Sequence, residues 1–201
     1  MADDKLRSGV VTFLKTDLGI RKINFAFPSA GSGFRLWPDA YKGVGEAINT
    51  EQIRLVQKPL PAGVGAQYDP GLDTLRLRIG FDINNKRDQA FLVHECTHAF
   101  FDIKNLGQHL KSSNEAAAYL AEAILLEAGS QPPLGTEQVR QVSHPIAKTV
   151  IKGQYWISDA DFKALSAAWA RSEGADPKTM FNSNGLNTLP RTARPLIELF
   201  K

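Results

Sequence analysis

Cysteine is almost missing from this chain of 201 residues: Cys96 is the only one. No disulfide can close within the chain, which excludes a small secreted scaffold held by bridges and fits a reducing compartment. Long hydrophobic runs are missing too, since no stretch approaches the roughly 18 apolar residues of a membrane span. Charge of one sign is not massed anywhere, and the net charge is only +3. Nucleic-acid binding would need a basic stripe on one face, and the scattered Lys and Arg write none, so neither nucleic acid nor membrane is expected as a partner. The N-terminal MADDKLRSGVVTFLKTDLGI sets two aspartates before a mixed segment and lacks the continuous apolar stretch of a secretory signal. The cytoplasm is therefore the expected location. With no internal repeat, low-complexity tract or clear linker, a single domain over 1–201 is expected.

What is present suffices for a real core, with 43% hydrophobic against 22% charged residues. Segments 22–27 (KINFAF) and 53–57 (IRLVQ) are short strand candidates, and PSAGSGFRLWPDAYKG between them reads as a long loop. The clearest strand signal is GAQYDPGLDTLRLRIG over 65–80. There Leu75, Leu77 and Ile79 alternate with Arg76 and Arg78, and the turn residues of DPGLD predict a hairpin. Helices are predicted from about Asp88 to Ile103 and over 115–128, the second stopping at Gly129 with Pro132 beyond. Two more follow, over 137–151 and 158–174, with Ser158 or Asp159 capping the latter. The tail 182–201 reads as loop-rich with a short apolar end. The class is α+β, a small N-terminal sheet followed by helices.

One of these helices carries chemistry. FLVHECTHAFFDI, 91–103, places His94, Glu95 and His98 among large apolar residues. Residues four apart on a helix differ by about 40° around its axis, so His94 and His98 stand one above the other and can offer nitrogens to one zinc ion. Such an ion lowers the pKa of a water toward neutrality, and Glu95, about 100° away, can take that proton. Leu92, Cys96, Ala99 and Ile103 form an apolar stripe opposite the His94 edge. Cys96 is accordingly a core residue and not a ligand.

A catalytic zinc needs a third protein ligand. The metzincin extension is excluded, because Phe101 stands at its glycine position and Lys104 at its last histidine. The next helix offers two acidic candidates on one face, Glu115 and Glu122, too far apart to share an ion, being about two turns or ~10.5 Å along the axis. His109 and Asp102 are further candidates, Asp102 reading better as a hydrogen-bond partner of the site. Ser112 to Glu115 can also be read as a capping box, in which Glu115 serves only the helix start.

Here the chain resembles the gluzincin branch of zinc metallopeptidases, with the thermolysin-like arrangement of H-E-x-x-H followed by a glutamate on a second helix. HECTH and the Asn114–Glu115 pair of NEAAAYLAEAI carry the resemblance, which covers about 65–128. It departs from larger members at Tyr119, where an aspartate is common. The resemblance implies Glu115 as third ligand, a minimal zincin-like domain, and an edge strand that binds extended peptide. The hairpin before the active helix occupies the right place for that strand. Tyr119, Arg140, His144 and Tyr155 are all able to stabilise an oxyanion, and no spacing singles one out.

The expected activity is that of a zinc-dependent metallohydrolase, a peptidase with one zinc per chain held by His94, His98 and Glu115 and with Glu95 as base. Its partner is a peptide or protein substrate. The competing readings are a zincin-fold sensor or binding module with weak or no hydrolysis, and a delivered bacterial effector protease.

Overall fold

The computed structural model describes residues 3–27, 34–105, 108–176, 178–182 and 185–186. Helices and short strands mix throughout, an α+β chain as the pattern predicts. The chain divides into two compact units, one of Met1–Asp17, Asp39–Gly107 and Asn182–Lys201, the other of Leu18–Pro38 and Gln108–Phe181.

In the first unit, α1 (Asp4–Thr16) and α2 (Pro38–Asn49) form where the sequence reads as a mixed segment and a loop. The Val10–Val11–Thr12 run and the two glycines of α2, Gly43 and Gly45, lower helix propensity. Tertiary burial overrides that, since Val10, Leu14, Val44 and Ile48 are all fully buried. Asp3 caps α1 by accepting the Leu6 N–H at 2.6 Å.

The sheet of this unit runs in the order β3 (Arg54–Gln57), β5 (Thr74–Leu77), β4 (Ala66–Asp69). Strand β5 is parallel to β3 and antiparallel to β4, and the hairpin predicted at DPGLD joins β4 to β5. Leu75 and Leu77 are buried as the alternation requires. Ile79 is 61% exposed, because the strand has ended and the chain turns at Gly80, whose φ is 75°. Arg76 pairs with Asp69, and Arg78 donates to both oxygens of Asp88, which is 1% exposed, at 2.9–3.1 Å. That pair, buried only on the Asp88 side, ties the end of the hairpin to the start of α3 (Lys86–Ile103). Asn85 caps α3 by accepting the N–H groups of Arg87 and Asp88, which starts the helix two residues before the predicted Asp88.

The second unit packs α4 (Lys111–Ala128), α5 (Gln138–Ile151) and α6 (Asp159–Glu173) around Tyr119, Val139, Ala168 and Trp169. Ser158 caps α6 through the Asp161 N–H, settling the choice with Asp159. A hairpin of β1 (Phe25–Phe27) and β2 (Phe34–Leu36) gathers Phe25, Phe27 and Phe34 into one aromatic group, and Phe162 of α6 stacks on Phe27 at 4.9 Å. Strands β6 (Gln108–Leu110) and β7 (Met180–Asn182) pair into a third small sheet. Apart from residues 182, 185 and 186, the predicted loop-rich tail lies outside the described residues. Among the described residues no helix is long and apolar enough to cross a membrane.

Candidate metal centre

Helix α3 is buried nearly all round. From Asp88 to Ile103 only Phe91 and Glu95 keep partial exposure, and they stand four residues apart on one edge. Leu92, Cys96, Ala99 and Ile103 face the interior as predicted. On the histidine side the rings of His94 and His98 lie 5.0 Å apart edge to face, each residue 9% exposed. Thr97, between them in the sequence, donates its hydroxyl to the Val93 carbonyl at 2.9 Å and meets the buried Tyr41 hydroxyl at 2.9 Å. Because the Thr97 proton is committed to that carbonyl, the Tyr41 hydroxyl is the donor between the two, and it locks the helix to α2.

His94, Glu95 and His98 bring ligand-capable atoms within 4.8 Å of one another. Two nine-tenths-buried imidazoles offer a nitrogen pair of the kind zinc takes, with the more accessible Glu95 carboxylate beside them, so these residues fit part of such a site. The Cys96 thiol is fully buried, and burial followed by the Glu95 charge pushes its pKa well up. It therefore stays protonated, unlike a ligand thiol.

The hairpin reaches the same place. Gly65 accepts the Arg78 N–H at 3.0 Å, so Gly65, Gln67 and Asp69 turn their main-chain groups inward to β5. Ala66 and Tyr68, both buried, turn theirs to the outer edge of the sheet, against α3, and the Tyr68 N–H donates to Glu95 Oε2 at 2.7 Å. Its side chain continues along the helix and donates to Asp102 Oδ2 at 2.8 Å. The Phe91 ring lies so close over Gly65 that a β-carbon there would fall 2.1 Å from a ring carbon. Only glycine lets β4 approach α3 this nearly. Nothing in the spacing of GAQYD singles out Tyr68; its part depends on which edge of β4 is the outer one.

In the second unit Glu115 is partly exposed on α4. The capping-box reading of that glutamate is overturned. Helix α4 starts at Lys111, its N-cap is Leu110 without a side-chain cap, and Ser112 and Ser113 are buried inside its first turn. The helix starts early because β6 runs straight into it. Glu122, the rival ligand, is 2% exposed and accepts from Arg140 Nε at 2.7 Å. Arg140 also reaches Glu137 at 2.7 Å and lies over the Tyr119 ring. That guanidinium is thereby held in a structural ion pair, and Glu122 with it.

Burial, then the Glu115 charge one turn away, raise the Tyr119 pKa. His144 stands 3.5 Å from Glu127, and burial lowers its pKa. Tyr155 is 53% exposed, its carbonyl accepting the Ala26 N–H. His109 meets the Asn114 amide at 3.0 Å and stacks on Phe181. Asp102 is a partner of Tyr68 and of the Gly185 N–H, at 2.8 and 3.1 Å. Comparison with protein-family models, curated proteins and solved structures finds no match to this chain.

Proposed function

We propose that the protein is a zinc-dependent peptidase of compact gluzincin type, in which His94, His98 and Glu115 hold the ion and Glu95 is the general base. The observation that carries this is the cluster of His94, Glu95 and His98 on an otherwise buried helix, with the acid at its accessible edge. Glu115 comes from the resemblance, supported by the loss of its capping role and by the engagement of Glu122 with Arg140. A bound zinc would supply Lewis acidity, acidifying a water and polarising a carbonyl. The chain does the rest. The imidazoles would offer ring nitrogens to the ion, Glu95 takes the proton of the attacking water and passes it to the leaving amine, and β4, the outer strand of its sheet, holds Glu95 through the Tyr68 N–H.

The test is cleavage of an unstructured protein such as casein by zinc-loaded protein. Cleavage should disappear under a chelator and return with added zinc, and chelation should also lower the melting temperature, since the ion binds the folded chain far better than the unfolded one. A rate that survives proven metal removal contradicts the reading.

A further inference from the structure

Glu95 and Asp102 stand seven residues apart on α3, about two turns and ~10.5 Å along the axis, but only about 20° apart around it. One residue of β4 reaches both. The Tyr68 main chain meets Glu95 at 2.7 Å and its hydroxyl meets Asp102 at 2.8 Å. The far end is itself fixed, because Asp102 is fully buried and its Oδ1 accepts the Gly185 N–H at 3.1 Å. Burial, then the Asp102 charge, push the Tyr68 phenol far up, so it remains a donor to that carboxylate.

We propose that Tyr68 is a positioning residue for Glu95, a two-ended tether that fixes the carboxylate on the outer strand of the sheet. This rests on the reading of Glu95 as the base. A glutamate has three side-chain torsions, and a charge-assisted bond from a strand N–H holds Oε2 in one place and so sets the direction of Oε1. The strand cannot drift along the helix, because the phenol of the same residue is anchored two turns away. By the register of the hairpin the Ala66 N–H and C=O and the Tyr68 C=O turn to the same outer edge, where both residues are buried against α3. The base then has one rigid reference, and a misplacement of ~1 Å at such a reference costs about 10²-fold in rate.

The experiment is amide hydrogen exchange at residue 68 by NMR, run beside steady-state kinetics on full-length, zinc-loaded protein. Tyr68→Phe keeps the ring and the N–H and removes only the hydroxyl. Exchange at residue 68 should accelerate about 10-fold, and kcat should fall about 10-fold with KM and zinc content unchanged. Glu95→Gln retains a side-chain oxygen acceptor and should keep slow exchange, whereas Glu95→Ala should lose it; this pair decides the tether even if Tyr68→Phe does not fold. Wild-type exchange in Glu95→Ala, or wild-type kcat in a folded Tyr68→Phe, overturns the proposal. Should wild-type protein cleave no peptide, the peptidase reading falls, and the exchange rates alone still decide whether Tyr68 holds Glu95.

Discussion

Glu95→Gln should leave zinc content at the wild-type level and lower peptide hydrolysis by about 10²–10⁴-fold, the usual worth of a positioned base. The amide has the shape of the carboxylate and a carbonyl oxygen for the Tyr68 N–H, so the site should keep its architecture. What it loses is the capacity to take a proton from water. The adjacent imidazoles of His94 and His98 are untouched, and they hold the ion in this account. Steady-state rates together with metal analysis on the purified variant check both halves. Full activity in Glu95→Gln would remove Glu95 from the chemistry, and loss of zinc would make it a ligand instead of a base.

The second large effect separates Glu115 from Glu122. Glu115→Ala should abolish tight zinc binding and activity while the fold survives, because Glu115 is partly exposed and lies beyond the N-cap and first turn of α4. Glu122→Ala should do the reverse. It leaves the Arg140 guanidinium buried beside Tyr119 without its main partner, and breaking a buried pair on one side costs on the order of 3 kcal/mol. The Glu137 carboxylate still reaches Arg140 and moderates that loss. Zinc stoichiometry after dialysis and urea midpoints on the same preparations read the two effects independently. Zinc kept by Glu115→Ala and lost by Glu122→Ala would move the ligand along the helix and end the resemblance to the gluzincin pattern.

The active helix was legible because two periodicities coincide in it. The spacing of His94 and His98 and the stripe of Leu92, Cys96, Ala99 and Ile103 both demand a helix, and both are met. The hairpin was legible from the alternation at Leu75 and Leu77 and from its turn residues. Helices α1 and α2 were not, because Gly43, Gly45 and the β-branched run at Val10 argue locally for something else and only their burial decides. The start of α4 was misread for a similar reason. Ser112 and Ser113 look like caps, yet the chain enters the helix from β6 without one. The roles of Arg78, Arg140 and Tyr68 depend on partners at the start of α3, on α4 and along α3 respectively, which no local pattern can announce. For the site, the sequence names the histidines and the acid beside them, while the strand that holds that acid emerges only when β4 is known to be the outer strand.

The central claim is that the histidine pair of α3 exists to hold a metal, and elemental analysis of the purified, dialysed protein tests it most directly. The account predicts one zinc per chain in the wild type, and none in a folded His94→Ala or His98→Ala variant, since each removes one of the two imidazoles brought together on the helix. A folded wild-type protein that takes up no zinc when the ion is supplied in excess would contradict it.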